Sequence, residues 1–253
     1  MKCTNCEFEP HDELQHENAS DEITENKVLK AIQDKLFLII TILMTASCLL
    51  SFMNGGLPLI NVLITIFLWL TYSQSLKGIA DENHLRCVSG AVYANYIIAN
   101  VAAIILVVCG AVTAFLFELL ADSLDLVEAI NEEIGGMYSA FAEFSVELFE
   151  GIGLVVGLTI AFVGVIVFII SVLGLKKIHR FAQSVYLSLS EPSREIYNPH
   201  STKNWLIFFG ICSALSAASV LSSNLCGALS EGCLAAATFV SVVLIDRYLN
   251  TEK

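Results

Sequence analysis

Residues 36–53 read LFLIITILMTASCLLSFM, eighteen positions without one charge. Crossing the ~30 Å hydrocarbon core of a bilayer takes roughly 20 apolar residues in a helix, because every backbone amide there must be paired within the segment. This stretch has that length and composition. Just beyond it, NGGLP at 54–58 supplies a tight turn through Gly55, Gly56 and Pro58. A second apolar run covers 57–72 and ends near Trp69 and Tyr72, side chains that favour the membrane interface. Further runs cover 91–117, 151–175 and 205–221, and a last covers roughly 233–248, with a start as early as Leu225. The expected fold is an all-α integral membrane protein of six transmembrane helices arranged as three hairpins. The last two runs are short, so four spans with a re-entrant hairpin is the other count that fits.

The whole composition agrees with this reading. Of 253 residues, 56% are hydrophobic and 15% charged, against about 25% charged in a soluble domain. Mean hydropathy is +0.72. A soluble bundle would interrupt these runs with charges at helical spacing. The first 26 residues form a polar, acidic tail, distinct from the membrane domain at 27–253. No short apolar run follows a basic start, so the expectation is that no signal peptide is cleaved and the first span remains as an anchor.

Charge decides the orientation. The 13 Lys and Arg fall in the N-terminal segment (Lys2, Lys27, Lys30, Lys35), between spans two and three (Lys77, Arg86), between spans four and five (Lys176, Lys177, Arg180, Arg194, Lys203) and in the tail (Arg247, Lys253). The other three connections carry none. Basic residues are retained on the cytoplasmic side. Six spans with both termini cytoplasmic fit this partition, in the cytoplasmic membrane of a bacterium. The sequon Asn18-Ala19-Ser20 then lies on the cytoplasmic side and reads as chance.

The connection at 118–150 has nine acids, from Glu118 to Glu150, and no base. Its apolar residues recur at three and four: Leu120, Leu124, Val127, Ile130 and Ile134, then Met137, Phe141, Phe144 and Leu148. Gly135-Gly136 divides the two stripes. This pattern predicts two amphipathic helices joined by a glycine turn, an outward extension of spans three and four. Acidic faces are repelled by anionic headgroups, which disfavours lying flat on the bilayer. A calcium site needs oxygens converging from a loop, and acids strung along a helix do not supply that. A solvated face or a protein partner at this extracytoplasmic hairpin accounts for the charge.

Within the spans no charge lies deep, which counts against proton coupling. A candidate polar cavity is marked by Asn61, Thr65, Asn95 and Asn100, although helix–helix hydrogen bonding accounts for the same residues. Gly153, Gly157, Ala161 and Gly164 form a small-residue seam for close helix packing. Gly-x-Ser-x-Gly, His-Glu-x-x-His and phosphate-loop motifs are missing, so no catalytic residue is assigned. Cys226 and Cys233 flank GALSEG in an expected outer turn and are a candidate disulfide in an oxidising compartment.

The chain opens MKCTNCEFEPHDELQH, with Cys3, Cys6, His11 and His16 spaced Cys-x2-Cys-x4-His-x4-His. Two thiolates and two imidazoles are a tetrahedral zinc set, so zinc is the candidate cofactor. The spacing resembles a zinc knuckle, whose fourth ligand is normally Cys rather than His16 and whose turn carries glycine where Glu7 stands. The Met-Lys-Cys-x-x-Cys start also resembles that of many bacterial multi-pass membrane proteins with an N-terminal zinc ribbon. The ribbon's second Cys-x-x-Cys is missing here, and His84 with Cys87 is another way to complete a site. Glu7, Glu9, Asp12, Glu13 and Glu17 surround the set and disfavour nucleic acid.

These features imply a non-enzymatic integral membrane protein acting through interactions, as a scaffold, sensor or regulatory component. A channel or transporter for a small solute is the second reading.

Overall fold

The computed structural model describes residues 27–56, 58–79, 81–134, 139–190 and 195–249, with side chains throughout except at 121, 124–150 and 190. Among the described residues the fold is all helical: α1 (27–33), α2 (Lys35–Met53), α3 (Leu59–Ser75), α4 (Glu82–Ile134), α5 (Ser139–Ile170), α6 (Lys176–Ser190), α7 (Pro199–Val220) and α8 (Leu225–Tyr248). A π-helical turn, Ser171–Leu175, joins α5 to α6. Five stretches are long and apolar enough to cross a membrane: Lys35–Met53, Glu82–Leu120, Gly151–Leu189, Pro199–Val220 and Leu225–Tyr248. The remaining apolar helix, α3, has 17 residues. Large apolar side chains stand exposed along these helices, Phe162 at 65% and Leu215 at 66% among them. Water penalises such a surface and hydrocarbon does not.

Local chemistry sets the ends. Asp34 caps α2 by accepting from the Leu36 amide at 2.8 Å. After α2 the chain turns through Gly55, whose φ of +78° suits a residue without Cβ. Asn198 caps α7 from the Ser201 amide, with Pro199 in the first turn. Asn224 caps α8 from the Gly227 amide. Residues 225–233 are therefore the opening turns of α8, and the turn before them is 221–224. The last helix takes its earlier start at Leu225.

The chain divides into two compact units, the first from Met1–Asn95 with Gly174–Lys253 and the second from Tyr96–Leu173. In the first unit, α8 lies between α2 and α7, α3 packs on the other side of α2, and α6 packs on α7. Small buried residues of α8, Ala228, Ser230, Ala235 and Ala237, allow this close approach. α2 and α8 run antiparallel and are pinned along their length. Asn224 donates to Asn54 at one end. Ser230 donates to the Ser47 carbonyl at 2.9 Å near the middle. At the other end Arg247 and Tyr248 donate to Asp34 at 3.0 and 2.6 Å. Gly174 presses on Trp205 so closely that an added Cβ would lie 2.6 Å from the indole.

In the second unit α4 and α5 pair through glycine. A Cβ on Gly110 would lie 2.5 Å from the backbone of Gly157 and Ala161, and one on Gly157 would lie 2.7 Å from the Gly110 carbonyl. Gly164 meets Ala103 and Val107, and Gly153 meets Phe117. The anticipated seam of Gly153, Gly157, Ala161 and Gly164 is therefore an α4–α5 contact. Its register is antiparallel, and the pairs 110 with 161 and 117 with 153 are centred on Gly135-Gly136, whose own turn lies outside the described residues.

Candidate functional site

A half-open apolar pocket of about 340 Å³ lies within the first unit. Helices α1, α2, α3, α4, α6, α7 and α8 line it, together with Leu249 just after α8. α1 contributes Val28 and Ile32, and α2 contributes Phe37 and Met44. The cavity is placed by the first half of α2, the start of α4, the middle of α6 and the last half of α8. Lys35, Arg86, Lys177, Arg180 and Arg247 lie close in sequence on the same helices. α1 is too short to hold its helix alone. Burial of Val28, Ala31 and Ile32 to 5% exposure or less fixes it against the bundle.

The wall is aliphatic and aromatic. Its hydroxyls are already committed to their own helices. Thr202 donates to the Asn198 carbonyl at 3.2 Å, Thr238 to Leu234 at 2.7 Å and Ser241 to Ala237 at 2.8 Å. Polar groups gather at the ends of the helices instead. Three residues before Phe37, the Asp34 carboxylate receives the Leu36 amide, the Tyr248 hydroxyl and Arg247. The backbone amide first, then the tyrosine and arginine, hold its pKa below the ordinary 3.8. Lys203 pairs with Asp246 at 2.9 Å. A second, more polar space of about 450 Å³ lies between α6 and 195–198, where the Arg180 guanidinium sits 5.9 Å over the Tyr197 ring.

No protein family, curated protein or solved structure matches this chain. The site therefore rests on its own geometry.

Cys3, Cys6, His11 and His16 lie outside the described residues. His84 is within them. Its Nδ1 lies 3.1 Å from Gln74 and 3.5 Å from Asp81, while Cys87 is exposed. Among the described residues no three His, Cys, Asp or Glu side chains come together as a metal set. Cys226 and Cys233 are both free thiols on α8. Seven residues of helix separate their Cα atoms by about 10 Å, beyond the ~7 Å reach of a disulfide. The expected bridge is corrected on that ground: the segment is helix, and a helix cannot fold one residue back onto the other. Thr65 is buried and donates to the Asn61 carbonyl at 2.7 Å, with Cys48 3.6 Å away. Asn95 is exposed. Asn100 donates to the Tyr96 carbonyl at 2.7 Å, and its Oδ1 is buried without a partner among the described residues.

Sequence reasoning missed the apolar cavity. Its lining runs from Val28 to Leu249, and no local spacing announces it. The one signal present is α6, whose apolar residues Ile178, Phe181 and Val185 recur on one face of an otherwise polar helix.

Proposed function

We propose that this is a non-enzymatic integral membrane protein that acts through interactions, and that its partner-facing element is the acidic arm at 118–150. The reading places six spans as three hairpins in a bacterial cytoplasmic membrane, with both termini cytoplasmic and the 17-residue α3 as the short second span. In it, Cys3, Cys6, His11 and His16 form a cytoplasmic zinc module. The observation that carries the proposal is the length of α4. It runs unbroken over 53 residues, about 80 Å at 1.5 Å per residue, more than twice the ~30 Å of hydrocarbon. The last 17 residues, 118–134, and the first 12 of α5, 139–150, hold the nine acids. A helix that stays formed so far beyond its apolar section suits a stalk offered to a partner.

Photo-crosslinking residues introduced at 128, 132 and 143 in intact cells test this. A discrete adduct to one protein, suppressed by added soluble arm peptide, is expected. Crosslinks indistinguishable from those at lipid-facing Val112, or none, would overturn the proposal.

One observation favours the channel or transporter reading. The unpartnered Oδ1 of Asn100 lies within an apolar stretch of α4, where an unsatisfied acceptor is costly. Solute flux in reconstituted vesicles that disappears in Asn100→Leu would favour that reading.

A further inference from the structure

We propose that the 340 Å³ cavity of the first unit binds one hydrocarbon chain, the tail of a membrane lipid. Its size is that of a ligand pocket at the lower end of the usual range, roughly 300–1,000 Å³. It is more than twice the ~150 Å³ apolar cavity that stays dry and takes up benzene. Water is a poor occupant because it needs two to four polar partners, and the hydroxyls on this wall already donate to backbone carbonyls. The space is half open to its surroundings, and a chain entering it would gain dispersion contacts with Phe37, Met44, Val185 and Leu244.

Two sources of apolar filling adjoin it. Residues 1–26, which precede α1 in the chain, carry eight acids, and charge buried against such a wall is costly. The medium is the other source. Five helices of this chain are apolar and long enough to lie in a bilayer, so hydrocarbon chains surround them at high concentration. A flexible unbranched chain also suits a space bounded by seven helices, which an inflexible polycycle would have to match in shape.

The test uses the purified, delipidated full-length protein in detergent. A fatty acid carrying a polarity-sensitive dansyl group should bind saturably, one per chain, with blue-shifted emission, and oleate should displace it. Ala182→Phe and Val185→Trp narrow the cavity without adding charge and should weaken binding at least tenfold. A melting temperature equal to or above that of the wild type would establish that each variant is folded. Should either fail to fold, a rise in the wild-type melting temperature with oleate, but not with a short-chain acid, carries the same inference. Native mass spectrometry of protein purified without delipidation separates the sources: a retained phospholipid mass or a retained fatty-acid mass each supports the site. Non-saturable uptake, equal affinity in both folded narrowing variants, or retention of detergent alone in the presence of excess lipid would overturn the proposal.

Discussion

Asp34 ties together distant parts of the first unit. It caps α2 and receives both Arg247 and Tyr248, more than 200 residues away in the chain. Asp34→Ala removes a cap and both partners and should destabilise the purified protein by about 2 kcal/mol, of which the cap alone is about 1. Asp34→Asn keeps the cap and loses the charge, so it should recover about half of that loss in a thermal melt. The folded pKa lies below the ordinary value of 3.8. The stabilisation is therefore complete above that value and lost as pH falls through the folded pKa. The gap between wild type and Asp34→Asn should hold constant from about pH 5 to 8 and close in acid. A local reading recognises the cap but not these partners, since their meeting depends on how α2 and α8 pack. The N-terminal Cys and His set is the reverse case, legible as a motif in fourteen residues. If zinc fills it, elemental analysis should find one equivalent per chain, lost in the Cys3→Ser, Cys6→Ser double variant and weakened as pH falls, because the ligands must be deprotonated. Zinc-free wild type purified under reducing, chelator-free conditions would remove the module.

Among the elements, the pairing of α4 with α5 gives the clearest contrast. Gly157 has the Gly110 carbonyl and the Ala114 backbone within 2.8 Å of where a Cβ would sit, whereas Gly151 has nothing within 4 Å. Backbone cannot step aside as a side chain can. Gly157→Ala should separate the helices and cost about 1–3 kcal/mol. Gly151→Ala, in the same helix, should be neutral or stabilise by up to about 1 kcal/mol. Thermal melts of the two purified variants read the difference directly, and equal melting temperatures would refute the packing account. The small-residue seam is legible in the sequence because glycine spacing encodes a helix face. The partner is legible too, since residues on either side of Gly135-Gly136 fold back in register. The π-helical turn at Ser171–Leu175 is not legible. Apart from Gly174, nothing in SVLGL opposes an ordinary helix, and the tight fit of Gly174 on Trp205 is a tertiary constraint. The start of α8 is legible only as the earlier of two alternatives. Glu231 and the two glycines at 227 and 232 read as a turn, but the Asn224 cap starts the helix at Leu225, ahead of both Cys226 and Cys233.

For the whole molecule, the apolar runs and the basic residues carry most of what the sequence says about placement in a bilayer, because transfer free energy acts on composition alone. In a cysteine-free background, Lys77→Cys and Ser139→Cys give opposite expectations under the proposed topology. A membrane-impermeant thiol reagent applied to intact cells should label position 139 and spare 77, and the opposite pattern would invert the protein in the membrane. The half-open apolar pocket, lined by residues from Val28 to Leu249, is out of reach of any such reading. The bond between Ser47 and Ser230 spans 183 residues, and that distance along the chain is also a delay. At roughly 5–20 residues per second of synthesis, α2 waits some 10 to 40 s before α8 has been made. Throughout that interval its packing face has only lipid or the insertion machinery as company. A ribosome stalled before residue 225 would release a chain whose first long helix is inserted but never sealed, a ready substrate for membrane proteolysis.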